Sequence, residues 1–291
     1  MSHHRNSLLV EEATLIQQTA YASEQYRLTL HAPKIASRAQ AGTFVHLKCA
    51  PSLPMRRPIS IMRADPDSGT LELLYKVVGE GTRQLSLRQI GESLSLIGPI
   101  GRPFQLDQNY PRPLLIGGGV GMPPMIYLAE TLYRQFNATM QPLVILGSEL
   151  PFPFQSEPSK LLLPGLPTEV IATLPLLESW AIPTRLTSLQ GYPGCYNGYV
   201  TDLARLWLNH LTATQQQQVM LFSCGPTPML KAVAALAQEY RLPCQISLEE
   251  YMACGIGGCA GCVVEVKSKQ GVQMRRVCVD GPVFNADEVL F

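Results

Sequence analysis

The sequence predicts an antiparallel β-barrel joined to a parallel-sheet α/β domain and a small C-terminal cysteine module. Three observations predict it. Short β-rich runs between turn residues fill positions 1–106, strands and helices alternate over 107–245, and a glycine-rich run with three closely spaced cysteines opens the last segment, 246–291.

In the first segment the expected strands are 7–16, 26–31, 43–48, 59–63, 70–78 and 93–97, broken at Ala32-Pro33, Gly42, Asp65 to Gly69 and Gly91. Strands at that spacing close into a small barrel, with a short helix over 82–89 covering one end. In the second segment a strand over 114–116 runs into a glycine cluster and a helix over 122–136, with Pro123 or Pro124 in its first turn. Strands follow at 143–146, 169–173 and 219–223, with helices at 200–211 and 228–240. Thr227 is the expected N-cap of the last helix and Pro228 its first residue. The proline-rich stretch 150–197 yields one expected helix, near 157–163.

A chain of 291 residues can bury a substantial core, and a net charge of +1 with 15% charged residues leaves no basic face for nucleic acid. Eight cysteines without a secretory signal point to a reducing, cytoplasmic setting. His3 and His4, in a polar start, read as solvated. The longest apolar run, 113–129, is interrupted by glycines and prolines and does not read as a membrane span.

The last segment carries Cys254-Gly-Ile-Gly-Gly-Cys259-Ala-Gly-Cys262 and, beyond 263–277, Cys278. Cys-x4-Cys-x2-Cys with a distant fourth cysteine is the thiolate pattern of plant-type 2Fe-2S clusters. Three thiolates on one loop need a backbone that bends around the cluster, and Gly255, Gly257, Gly258 and Gly261 allow it. Structural zinc competes, but zinc modules pair Cys-x2-4-Cys knuckles in two halves. A disulfide framework suits a secreted chain, of which nothing else gives a sign. Since 46 residues make a poor core, bound metal is expected to help hold this segment together.

Gly117-Gly118-Gly119-Val120-Gly121 lies between a strand and a helix, where backbone N–H groups favour a phosphate. Its spacing is not G-x-G-x-x-G, so alone it is equally an ordinary glycine-rich turn. Cys224-Gly225-Pro226 ends a later strand in the same way, and two such turns at the C-terminal ends of one parallel sheet point to one crevice. Cys224 by itself is as well explained as a small buried residue. In the barrel half, Arg56 and Arg57 precede Pro58, Ile59 and Ser60 at a strand start, while Tyr75 and Lys76 lead to Gly81 and Thr82 at a helix N-terminus. Guanidinium and helix N-terminus both suit a pyrophosphate, though each is also an ordinary surface turn. Electron counting narrows the choice. Nicotinamide gives up two electrons as hydride and a 2Fe-2S cluster takes one at a time, so a flavin is expected between them.

Arg57-Pro58-Ile59-Ser60 resembles the flavin motif R-x-[YFIL]-[ST] of the ferredoxin-NADP reductase superfamily, Gly117 to Gly121 its nicotinamide-nucleotide loop and Cys224-Gly225-Pro226 its C-G-P turn. Met252 through Cys262, with Val277-Cys-Val-Asp-Gly-Pro-Val-Phe284, closely resembles the electron transfer subunits of type B dihydroorotate dehydrogenases. The likeness spans essentially the whole chain. It implies an FAD-binding barrel, an NAD-binding domain and a 2Fe-2S module. NADH and FAD would exchange hydride, and the cluster would relay electrons to or from a separate FMN subunit that oxidises dihydroorotate in pyrimidine biosynthesis, in an expected heterotetramer. On this resemblance Arg57 and Ser60 hold the FAD pyrophosphate and isoalloxazine edge, Leu74, Tyr75, Lys76, Gly81 and Thr82 complete the flavin site, and Cys224 sits near the nicotinamide. Cys254, Cys259, Cys262 and Cys278 are the metal ligands.

Three stretches depart from the pattern. Arg102-Pro103 replaces the usual Asn-Gly in a turn beside the flavin, 187–197 lacks the expected acidic Asp-Gly run, and Gly147-Ser148-Glu149 carries no arginine for a 2′-phosphate, which leans towards NAD over NADP. Related subunits with similar cluster motifs serve ferredoxin-dependent NADPH oxidoreductases and sulfide dehydrogenases, and a redox-sensing or binding protein of the same fold is a third reading.

Overall fold

A computed structural model describes residues 8–136 and 139–291. His3, His4 and the first residue of the strand expected over 7–16 lie outside the described residues.

Period-two burial builds the barrel. Leu28 and Leu30, Leu71 and Leu73, and Leu94 and Leu96 recur at alternate positions and are at most 2% exposed. Taking each out of water is worth about 1.5–3 kcal/mol. The elements are β1 (Leu9–Tyr21), β2 (Gln25–His31), α1 (Pro33–Ala36), β3 (Phe44–Leu47), β4 (Arg57–Asp65), β5 (Thr70–Lys76), α2 (Glu80–Ser86) and β6 (Ser93–Ile100). The strands close antiparallel in the order β1-β2-β5-β4-β3-β6. β1 outruns its expected end because the polar residues after Gln17 still pair with β2, down to Tyr21 opposite Gln25. β4 and β5 are antiparallel neighbours, with Ile61 opposite Leu73, so the start of one lies beside the end of the other. That register brings Arg57 to Ser60 and Leu74 to Lys76 to one end of the barrel.

The second half follows as β7 (Arg112–Gly118), α3 (Met122–Phe136), β8 (Leu143–Gly147), β9 (Glu157–Pro158), β10 (Ala172–Thr173), α4 (Pro175–Ser179), β11 (Thr184–Thr187), α5 (Val200–His210), α6 (Ala213–Gln216), β12 (Val219–Cys224), α7 (Thr227–Tyr240), β13 (Cys244–Ser247), β14 (Val263–Ser268), β15 (Gly271–Arg276), α8 (Val277–Asp280) and β16 (Val283–Asn285). A six-stranded sheet has the order β11-β8-β7-β12-β13-β16, with β11, β8, β7 and β12 parallel. β14 and β15 form a separate hairpin.

Three local expectations are corrected. The helix expected near 157–163 is absent: Glu157–Pro158 instead pairs antiparallel with Ala172–Thr173, and proline at 158 suits a short edge pairing. The strand expected over 169–173 is therefore not part of the parallel sheet, whose edge is β11. Pro226, not Thr227, is the N-cap of α7, and it makes no side-chain cap bond.

The chain divides into two compact units. One holds the barrel through Phe104 together with Ser247–Phe284 and Glu288–Leu290; the other holds Gln105–Ile246 with Asn285–Asp287 and Phe291. Most of the segment expected as a cysteine module over 246–291, namely Ser247–Phe284 and Glu288–Leu290, shares a unit with the barrel. Among the described residues no helix is long and apolar enough to cross a membrane.

Candidate functional site

The cysteine loop is shaped by left-handed backbone. Gly255 and Gly257 take φ of +67° and +82°, and Ala260 takes 53°. These turns aim amides at sulfur: Cys259 N–H donates to Cys254 Sγ at 3.4 Å and Gly261 N–H to Cys259 Sγ at 3.4 Å. Burial works to raise the Cys254 thiol, but the amides of Ile256, Cys259 and Gly258 and the Cys259 side chain outweigh it and bring it down to about 6. Cys262 and Cys278 are buried, and their side chains are within hydrogen-bonding reach of one another. Burial, then Cys262, pushes the Cys278 thiol up to about 12.

The four thiols interact chiefly as two pairs, Cys254 with Cys259 and Cys262 with Cys278, and Cys254 also acts on Cys278. Two pairs suit two irons with two thiolates each. Residues outside the cysteines seat the loop. The His46 ring, 1% exposed on β3, packs against Gly255, where a Cβ would come 2.8 Å from Nδ1. Val277 N–H donates to Cys262 C=O at 2.8 Å, fixing the turn that carries Cys278 to Cys262.

At the barrel end the two expected cations separate in role. Arg56 is fastened to the barrel wall, its guanidinium donating to Ser95 C=O at 2.6 Å, Ser95 Oγ at 3.0 Å and His46 C=O at 3.3 Å. Arg57 reaches instead across to Gly81, where a Cβ would lie 2.7 Å from Nε. The Thr82 hydroxyl accepts from the amides of Val78 and Gly79 at 2.9 and 3.3 Å and so holds the turn into α2. Tyr75 is 4% exposed and stacks on Tyr26 at 5.5 Å, yet its hydroxyl has no hydrogen-bond partner among the described residues. A buried hydroxyl left unpaired, on the strand that ends where Arg57 meets Gly81, is what a bound polar cofactor would satisfy. Ser60, on β4 opposite Phe44, is half-buried at the same end.

Arg102-Pro103 has a structural use. Arg102 N–H donates to Gly281 C=O at 2.5 Å, and Phe104 N–H donates to Ala41 C=O at 2.9 Å, so this turn ties the exit of α8 to the barrel.

In the α/β unit, β7 carries Gly117 and Gly118, and the turn Gly119–Gly121 leads into α3. The register of β12 on β7 sets Cys224 opposite Gly117, which brings the turn at Gly225-Pro226 to the same edge of the sheet. A Cβ on Gly121 would overlap the carbonyl of Cys224, and one on Gly118 or Gly225 would overlap the Met229 side chain. Both glycine turns thus form one floor, with Val120 40% exposed at its rim.

Comparison with known proteins bears on what this arrangement serves. The iron-sulfur cluster binding domain of dihydroorotate dehydrogenase B matches residues 249–290. The dihydroorotate dehydrogenase B (NAD(+)) electron transfer subunit of Shouchella clausii (strain KSM-K16) is 34% identical over 284 residues, covering 95% of this chain and 96% of the relative. That of Listeria monocytogenes serotype 4a (strain HCC23) is 37% identical over 287 residues, covering 97% and 99%. The chain belongs to the family of dihydroorotate dehydrogenase B electron transfer subunits.

Solved structures agree on the fold. One reported for NADH-dependent reduced ferredoxin-NADP oxidoreductase superposes with a TM-score of 0.77 at 26% identity, covering 96% of this chain and 90% of that one. The ferredoxin reductase of carbazole 1,9a-dioxygenase does so at 0.63 and 18%, covering 81% and 67%. Within this family framework, the two thiol pairs fit a 2Fe-2S cluster and the Arg57–Gly81 cradle with the unpaired Tyr75 hydroxyl fits a flavin. His46, Arg276, Asp280 and Met229 escaped the sequence reading. Asp280 lies inside the motif that carried the resemblance, but nothing in its spacing marks what it touches.

Proposed function

We propose that this chain is the NAD(H)-linked electron transfer subunit of a dihydroorotate dehydrogenase, working in the cytoplasm with a separate FMN-containing subunit in a heterotetramer. A flavin, when bound, takes a hydride from nicotinamide and passes electrons on singly. Arg57 neutralises the FAD pyrophosphate, Ser60 meets the isoalloxazine edge, and Leu74, Tyr75, Lys76, Gly81 and Thr82 enclose the flavin. Gly117, Gly118, Gly119, Val120 and Gly121, with Gly225 and Pro226, receive the nicotinamide nucleotide, and Cys224 stands beside its ring. Cys254, Cys259, Cys262 and Cys278 hold the cluster.

The observation that carries this reading is that the two thiol pairs and the Arg57–Gly81 cradle belong to one compact unit. Anaerobic purification followed by NADH titration tests it: flavin and iron-sulfur absorption should both bleach, and Cys262→Ser should remove the cluster bands. Cluster bands that survive in Cys262→Ser would overturn the ligand assignment. Co-purification with an FMN protein is the expected result for the partner.

The likeness to the NADH-dependent reduced ferredoxin-NADP oxidoreductase structure favours a second reading, in which the same cofactors serve a ferredoxin-linked NAD(P)H oxidoreductase. A co-purifying partner with 4Fe-4S clusters and no FMN would select it.

A further inference from the structure

One side chain outside the ligand set ties the cysteine loop to the turn that delivers the fourth thiol. The backbone N–H and Nε of Arg276 both donate to Asp280 Oδ2, at 3.0 and 3.2 Å, while Nη1 donates to Gly257 C=O at 3.1 Å. The contact is close from the other side too: a Cβ on Gly257 would lie 2.9 Å from Val279 Cγ2 and 3.5 Å from Arg276 Nη1. Lysine has no planar fork with which to span a carboxylate and a carbonyl at once, whereas arginine does.

The charge is also well placed. Asp280 is the strongest influence on the Arg276 guanidinium, and the sulfurs of Cys278 and then Cys262 also act on it. The side chains of Arg276 and Asp280 are 32% and 17% exposed, so solvent screens the pair only in part. Arg275, the other cation acting on Asp280, has its Nη2 on Gln273 Oε1 at 2.7 Å.

We propose that Arg276 is a positioning residue that sets the reduction potential of the cluster, its cation held by Asp280 and the Gly257 carbonyl beside the Cys262–Cys278 pair. Reduction adds one negative charge to the cluster. A fixed cation nearby favours the reduced form and raises the potential, and the Asp280 carboxylate opposes it. The inference rests on the four-cysteine cluster reading above.

The test is an EPR-monitored redox titration, with iron analysis, on the anaerobically purified full chain. Arg276→Gln keeps a donor for the Gly257 carbonyl and removes the charge. It should retain wild-type iron and shift the reduction equilibrium about tenfold towards the oxidised cluster, ~59 mV for one electron. Asp280→Asn keeps an acceptor and removes the opposing charge, and should shift the equilibrium the other way. Arg276→Lys, which restores the charge alone, should return it to within about threefold of wild type. A wild-type potential in Arg276→Gln at full iron, or shifts of the same sign in the Gln and Asn variants, would overturn the proposal, because a merely structural role gives no opposed signs. If Arg276→Gln loses iron, the other two variants decide: a near-wild-type Lys potential with an opposite-signed Asn shift supports the role, and any other pattern ends it. Wild-type protein with no EPR signal on reduction sinks the cluster reading itself, an outcome distinct from unshifted potentials.

Discussion

Gly121 rests directly on the Cys224 carbonyl, so that the first glycine turn of the α/β unit is in van der Waals contact with the second. The two turns lie 103 residues apart in the chain (224 minus 121), and the parallel register of Cys224 with Gly117 is what joins them. Gly121→Ala is therefore expected to push the turns apart. Overpacking of this kind costs about 1–3 kcal/mol, and the KM for NADH should rise at least about tenfold, the equivalent of 1.4 kcal/mol. Gly119→Ala is the comparison for the fold alone: its φ is +54° but no protein atom lies within 4 Å of its Cβ position, so it leaves the two turns in contact and costs stability only backbone strain of about 1–2 kcal/mol. Thermal melts on both variants and NADH kinetics on Gly121→Ala check this; a wild-type KM in Gly121→Ala would dissociate Gly121 from the nucleotide.

In the barrel, Gly81→Ala should displace the Arg57 guanidinium, since the new methyl would lie 2.7 Å from Nε. Gly79→Ala, two residues away, meets nothing within 4 Å and has an extended φ of −177°. The expected outcome is a clear loss of FAD per protein for Gly81→Ala and near-wild-type flavin content for Gly79→Ala. Equal flavin retention in both would remove the cradle from the flavin site.

His46 makes the barrel sensitive to acid. Burial first, then the charge of Arg56, hold its imidazole below the ordinary 6.5, with Arg57 adding a weaker downward push, against upward pulls from the backbone of Cys254, which exceeds the Arg57 effect, and of Met252. Neither ring nitrogen has a hydrogen-bond partner meeting full geometry among the described residues. Because the folded-state value is the depressed one, the stability it supports is fully present above the unfolded value and declines as pH falls below it, by at most about 1.4 kcal/mol per pH unit. His46→Gln should flatten that part of the profile. Melting temperatures of the two proteins between about pH 7 and pH 5 check this; parallel curves would show that His46 does not titrate with unfolding.

The shape of the cysteine loop was legible because its evidence is local: four glycines and three thiols within nine residues constrain the backbone whatever surrounds it. The barrel was legible from period-two leucines. β11 was not, since Thr184-Arg185-Leu186-Thr187 is polar in sequence yet wholly buried, with Arg185 5% exposed and its guanidinium donating to Thr184 C=O and Leu161 C=O at 2.8 Å. β13 was hidden similarly, its Gln245 closing a reciprocal pair of bonds with the Gln105 backbone at 2.9 and 3.0 Å. Partners 24 and 140 residues away leave no trace in a local pattern. The same holds for Arg276, whose role depends on the Gly257 carbonyl across the loop.

Glu149 gives the last expectation. β8 ends at Gly147, and Ser148 is used internally: its N–H donates to Thr187 C=O at 3.1 Å and its Oγ accepts from Leu150 N–H at 3.2 Å. Glu149 is left exposed at the carboxyl edge of the sheet, one strand from the glycine turn, with Gln190 Nε2 3.5 Å from its carboxylate. A carboxylate there accepts from a ribose hydroxyl and repels a 2′-phosphate. NADH should therefore exceed NADPH in kcat/KM by more than about tenfold, and Glu149→Arg should narrow that ratio by a comparable factor, mainly through the KM for NADPH. Flavin reduction by the two nucleotides under single-turnover conditions makes the comparison without any partner subunit. A ratio unmoved by Glu149→Arg would place the adenosine ribose elsewhere on the sheet edge.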